Sequence, residues 1–234
     1  MAEGLDVVAM HGWAGDARAW EKWRQATASR GWTWQCGERG YGQLTPREPA
    51  WSTTEKRNSG RLAIGHSLGP HLIPADVLGQ AEAVVLLASF ATFVPPGRAG
   101  RRLRTALAGM ATSLEEEARA RGMLEQFMTN VASPQSPDLL PPGPLDGPIN
   151  ADGMRRLRED LQLLGSCEGL PRGFPQTARV LIVEAEDDHI VDPEARAMLR
   201  EALPQADVIT LPGTGHALLC SNLIERVVAW VENR

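Results

Sequence analysis

No stretch of this 234-residue chain approaches the roughly 20 consecutive apolar residues that a membrane-crossing helix needs. Met1-Ala2-Glu3-Gly4 runs into an apolar strand with neither a basic leader nor a cleavage signal, so a cytoplasmic location is expected. Cysteine is scarce. Cys36, Cys167 and Cys220 are odd in number and far apart, which fits free thiols in a reducing compartment better than a disulfide framework. Excess positive charge is missing too. A formal charge of -5 gives no global attraction to nucleic acid or an anionic membrane, and neither is expected as a partner. There is no internal repeat, no lysine placed after a glycine loop to bind phosphate, and no Gly-rich dinucleotide fingerprint. The acidic segment Glu184 to Asp192 lacks the ligand spacing of a calcium loop, so neither cofactor nor metal is expected.

What is present is an apolar fraction of 43%, arranged as short strand-like runs alternating with helical patterns. Leu5 to Met10 reads as a first strand delivering the loop His11-Gly12-Trp13-Ala14-Gly15. Asp16 can cap a helix to about Ser29, with Gly31 as its stop. Strands follow at Trp32 to Gln35, Leu62 to Ile64, Ala83 to Ser89, Val180 to Glu184 and Asp207 to Leu211. Helices are expected after Ser67, at Pro193 to Leu203 and at Ala217 to Val231. This alternation predicts an α/β architecture, a mostly parallel sheet covered on both faces. From Pro95 to about Pro175 it is interrupted by three helical patterns, at about Arg101 to Met110, Ser113 to Asn130 and Ala151 to Leu164, with a proline-rich connector from Pro134 to Pro148. The expected organisation is a core of residues 1–94 and 176–234 carrying a helical cap at 95–175, as a monomer.

Arg61-Leu-Ala-Ile-Gly-His-Ser-Leu-Gly-Pro70 is the most informative stretch. A buried strand meets a sharp turn that presents Ser67 between Gly65 and Gly69. A serine hydroxyl is a poor nucleophile at neutral pH and needs a base beside it and oxyanion donors behind it. Later strand ends offer those partners. Asp188 follows the run Val180 to Glu184, and His216 lies in the Gly-bounded loop after Leu211. His216 would act as the base and Asp188 as the acid that orients it, with Asp187 as the rival acid. The main-chain N–H groups of Leu68 and Trp13 are the candidate oxyanion donors, and His11 bridges loop backbone. His66, His71 and His189 are assigned no chemistry.

The order Ser67, Asp188, His216 resembles that of the α/β-hydrolase superfamily, over nearly the whole chain. The antiparallel hairpin usual at the start of larger members is missing, so a shortened N-terminus is expected. Within the superfamily the chain looks like the carboxylesterases of biotin synthesis that demethylate pimeloyl-acyl-carrier-protein methyl ester. The matching pieces are His11-Gly-Trp-Ala-Gly15 with Trp20, Gly-His-Ser67-Leu-Gly69, Met123-Leu-Glu-Gln-Phe-Met128, and Arg155-Arg-Leu-Arg-Glu-Asp-Leu161. The resemblance implies an acyl-Ser67 intermediate, a substrate bound to an acyl carrier protein, and substrate or carrier contacts at Phe127, Arg155, Arg156 and Arg158. Acyl carrier proteins are acidic, and arginines around a pocket would complement them. A broad esterase, lactonase or thioesterase with the same triad, or a ligand receptor on the same fold, are the alternatives.

Overall fold

The computed structural model describes residues 4–53 and 60–233; Met1 to Glu3, on which the no-leader expectation partly rests, lie outside the described residues. Six apolar runs form strands: β1 (Leu5–Met10), β2 (Thr33–Cys36), β3 (Gly60–His66), β4 (Ala83–Leu87), β5 (Arg179–Ala185) and β6 (Asp207–Leu211). Every neighbouring pair is parallel, in the order β2-β1-β3-β4-β5-β6. The sheet is wholly parallel rather than mostly so. With them, among the described residues, come the helices α1 (Glu21–Thr27), α2 (Ala75–Leu78), α3 (Arg101–Ser113), α4 (Glu117–Ala132), α5 (Ala151–Ser166), α6 (Pro193–Ala202) and α7 (Leu223–Glu232).

β1, β3, β4 and β5 read as nearly continuous apolar runs because both of their faces are covered, whereas the edge strands β2 and β6 are only partly buried. Val7, Ile64, Val85 and Leu181 point into one core, with Trp23 of α1 and Val227 of α7. Val8, Ala63, Val84 and Ile182 point into the other, with Val77 of α2 and Leu199 of α6. Each fully buried Val, Leu or Ile contributes roughly 2 kcal/mol to this packing.

Local chemistry reshapes several expected helices. Asp16 caps as expected, accepting from Arg18 N at 2.9 Å, and Gly31 ends the segment at φ +68, but α1 is flanked by 3-10 turns at Ala17–Trp20 and Ala28–Arg30. The helix after Ser67 shrinks to a 3-10 turn, Gly69–Leu72, and the separate α2. Pro74 is the cause: a residue preceding proline is pushed out of the helical region, and Ile73 lies at φ -79, ψ 130. The last helix starts at Leu223 rather than Ala217, because the Ala217 N–H donates to the Val131 carbonyl at 3.0 Å and Leu218 takes φ +51.

Between β4 and β5 the chain leaves the sheet for α3, α4 and α5. Asn150 caps α5 by accepting from Gly153 N at 2.8 Å. Leu107, Leu124, Leu157 and Leu161 of these helices share an apolar cluster with Trp13, Leu68 and Phe90 of the sheet side. One polar clamp accompanies them. Buried Asp160 of α5 accepts from Arg39 Nε and Nη2, both at 2.7 Å, and from the buried Tyr41 hydroxyl at 2.5 Å. The helices therefore pack against the loops after β1 and β3, which bear Trp13 and the Ser67–Leu68 corner.

Candidate active site

Ser67 follows the last residue of β3 and is almost buried. Its φ of +55 is left-handed, a conformation that costs a non-glycine residue about 1–3 kcal/mol and persists only where its surroundings impose it. Two hydrogen bonds impose it here. Ser67 N–H donates to the Leu87 carbonyl at 2.8 Å, and the buried Ser89 hydroxyl donates to the Ser67 carbonyl at 2.8 Å. The flanking glycines are set by close approach: a Cβ at Gly65 would crowd the Pro70 ring, and one at Gly69 would overlap the Met10 carbonyl.

His216 lies in the loop after β6, buried, and its Nδ1 stands 2.9 Å from Asp188 Oδ2. The other carboxylate oxygen accepts from Ile190 N at 2.8 Å and Val191 N at 2.9 Å. Burial alone would push the Asp188 carboxyl up; His216 and the two amides outweigh it and hold the group below the usual carboxylate range. Asp188 remains ionised and keeps the His216 proton on Nδ1. Asp187 makes no such contact. Its main-chain N–H donates to the Thr214 carbonyl at 3.0 Å, tying the acid loop to the histidine loop. The cap holds the same loop through Gln135 Nε2, which donates to the Gly213 carbonyl at 2.7 Å. Among the described residues no hydrogen bond joins Ser67 Oγ to the His216 ring; such contacts commonly tighten only with substrate.

The early loop is set by its own network. His11 Nε2 accepts from Arg39 N at 3.2 Å, which leaves Nδ1 to donate to the Gly12 carbonyl at 2.8 Å. Glu38 receives Ala17 N at 2.8 Å and Gly40 N at 2.7 Å. Burial disfavours its charge, yet its pKa lies below the ordinary range, and the amides of Ala17 and Gly40 supply hydrogen bonds that favour the ionised form. The Trp13 indole donates to the Leu157 carbonyl of α5 at 2.9 Å and meets Phe127 edge-on, with centroids 4.9 Å apart. Phe127 thus packs on the loop that carries Trp13. The main-chain N–H groups of Trp13 and Leu68, both buried residues, have no acceptor among the described residues. Unpaired buried amides are rare and leave two donors free for an anion.

The arginines of α5 have partners of their own. Exposed Arg155 pairs with Asp152 at 3.3 Å and Glu159 at 2.8 Å, Arg156 donates to the Gly40 carbonyl at 3.3 Å, and Arg158 donates to the Leu114 carbonyl at 3.0 Å. Arg156 and Arg158 therefore brace the cap. A cavity of about 660 Å³ lies elsewhere, between α1, Trp34, Arg47 and Leu140 to Pro142, and takes no lining from Ser67, Asp188 or His216. Among the described residues no group of His, Cys, Asp or Glu side chains is arranged to hold a metal ion, and no helix is long and apolar enough to cross a membrane.

Three contributors were not evident in the sequence. Ser89 holds the Ser67 carbonyl, Asp160 ties α5 to Arg39 and Tyr41, and His66, assigned no chemistry from sequence, places Nε2 2.9 Å from the His216 carbonyl. The histidine in the Gly-His-Ser turn was the one visible signal.

The family model described as the alpha/beta hydrolase family matches residues 7–230. No curated protein matches the sequence. Among solved structures, an esterase from Exiguobacterium antarcticum superposes with a TM-score of 0.74 at 16% identity, covering 100% of this chain and 94% of its own. A thermophilic esterase from Thermogutta terrifontis gives 0.66 at 15% identity, with 99% and 90% covered. Esterase RhEst1 from a Rhodococcus species gives 0.62 at 17%, with 98% and 91% covered. At these identities the likeness establishes a shared fold.

Proposed function

Because the chain belongs to the alpha/beta hydrolase family, we propose that it is a serine carboxylesterase with Ser67 as nucleophile, His216 as base and Asp188 as the orienting acid. The observation that carries this reading is the buried Asp188–His216 hydrogen bond at 2.9 Å, two strands across from a serine held at φ +55. His216 Nε2 takes the Ser67 proton as Oγ attacks the ester carbonyl. The tetrahedral oxyanion faces the free amides of Trp13 and Leu68. Collapse breaks the ester C–O bond, His216 returns the proton to the departing alcohol, and water then releases the acid from acyl-Ser67 by the same steps. In Ser67→Ala, hydrolysis of a short-chain aryl ester should fall ~10⁴-fold or more with the melting temperature preserved. Wild-type turnover in that variant would end the reading.

The narrower substrate we carry within that class is the methyl ester of pimeloyl-acyl-carrier protein, cleaved to methanol and the free acid. It is supported by the cap segments Met123 to Met128 and Arg155 to Leu161, and by exposed Arg155 on α5. A broad small-molecule esterase is the second reading, favoured by the internal commitments of Arg156 and Arg158. Catalytic efficiency of the wild type and Arg155→Glu on a carrier-bound ester and an aryl ester separates them. A loss confined to the carrier-bound ester supports the narrower substrate, and equal values throughout support the broad one.

A further inference from the structure

We propose that His66 is a positioning residue that ties the base to the nucleophile, its Nε2–H donating to the main-chain carbonyl of His216 and thereby setting where the His216 imidazole stands relative to Ser67. The inference rests on the esterase reading above.

His66 is the last residue of β3 and sits in register with Leu87 of β4, whose carbonyl also receives the Ser67 N–H. Its imidazole and the Ser67 hydroxyl therefore hang from the same rigid strand end. The Nε2 to His216 carbonyl distance is 2.9 Å, and the two rings lie 4.9 Å apart between centroids at 56°. The other bonds from the histidine loop to the rest of the chain lead away from Ser67: Ala217 N to Val131 and Gln135 to Gly213 reach α4 and the segment after it, and Asp187 N to Thr214, Gly213 N to Glu186 and the His216 ring to Asp188 reach the acid loop. Among the described residues, the His66 bond is the one hydrogen bond from the corner bearing Ser67 to the loop bearing His216. It joins two groups whose own side chains are not hydrogen-bonded to each other: Asp188 orients the His216 ring, and the His66 bond holds the backbone bearing that ring against the Ser67 corner.

Histidine suits the position better than a permanently charged donor. Burial first, and the neighbouring His216 second, push the His66 pKa down to about 4, and the hydrogen bond to the His216 carbonyl and the Asp188 carboxylate oppose them only in part. The ring is then neutral near pH 7. A carbonyl partner fixes its proton on Nε2, and the bond is made without a positive charge beside the ring that must accept the serine proton.

The test compares His66→Leu, which removes the donor, with His66→Gln, which restores an N–H at similar reach. Misplacing a reacting group by about 1 Å costs on the order of 100-fold. For His66→Leu, kcat on a short-chain aryl ester is expected to fall at least ~10-fold with KM changed less than about twofold, and His66→Gln to recover most of the loss. A loss below ~10-fold in His66→Leu, or no recovery in His66→Gln, overturns the proposal. Wild-type protein supplies a check that survives a poorly folding variant: ¹⁵N-histidine NMR at pH 7 should show His66 as the Nε2–H tautomer, and the Nδ1–H tautomer overturns it. Ser67→Ala in the same series separates the two claims. Inactivity there with an unaffected His66→Leu sinks the tether alone, whereas activity there sinks the esterase reading itself.

Discussion

Asp160, buried on α5, receives both arms of the Arg39 guanidinium at 2.7 Å from the loop after β2, across 121 positions of sequence. Asp160 also accepts from the Tyr41 hydroxyl, which burial and Asp160 keep protonated well beyond the usual range. Asp160→Ala leaves Arg39 and Tyr41 without their acceptor and should lower unfolding free energy by about 3 kcal/mol, the scale of breaking a buried pair. Tyr41→Phe removes one hydrogen bond and should lower it by about 1 kcal/mol. Urea midpoints measure both. A change below about 1 kcal/mol for Asp160→Ala would place the clamp among ordinary surface ion pairs.

Trp13 has two duties that can be separated. Its indole donates to Leu157 and packs on Phe127, while its main-chain N–H has no acceptor among the described residues and is the oxyanion donor of the proposed mechanism. Trp13→Phe keeps a ring and the amide but removes the indole hydrogen bond to the Leu157 carbonyl, so stability should drop by about 1 kcal/mol with kcat changed less than about threefold. A collapse of kcat at unchanged stability would show that the indole takes part in the chemistry.

Acid sensitivity follows from the carboxylates. Asp188 and Glu38 have folded pKa values held below those of the unfolded chain, so the stability they contribute is complete above about pH 4, the unfolded value, and is lost as pH falls through the lowered folded values. His66 acts over a higher window: with a folded pKa of about 4, its contribution is complete above the unfolded value near 6.5 and is lost between the two. Glu184 opposes them, since burial raises its pKa despite Arg200, and protonation relieves it. Unfolding free energy measured from pH 7 to pH 3 should decline through both windows, and His66→Gln should flatten the upper one. An unchanged slope between pH 6.5 and 4 in that variant would contradict the assignment.

The order Ser67, Asp188, His216 was legible because each residue follows an apolar run, and strand ends of a parallel sheet converge on one edge. Asp188 stands three positions before Val191, a spacing visible in the sequence, and its carboxylate accepts the Val191 amide in the fold. The late start of α7 was not legible. Ala217 gives its N–H to Val131 of the cap, a partner 86 positions away that no local pattern reveals. The same holds for Arg156 and Arg158, which look like a basic rim in sequence and in the fold reach the carbonyls of Gly40 and Leu114. Local signals specified elements and corners; side chains whose partners are distant in sequence acquired their roles only through the path of the chain.

The proposed activation of Ser67 by His216 is most directly tested by the rate at which an excess of a fluorophosphonate modifies the protein, followed by intact mass and peptide mapping. The predicted result is one adduct per chain, on Ser67, formed on the order of 10³-fold more slowly or worse in His216→Ala. An adduct on another residue, or the same rate of Ser67 modification without the imidazole, would contradict it.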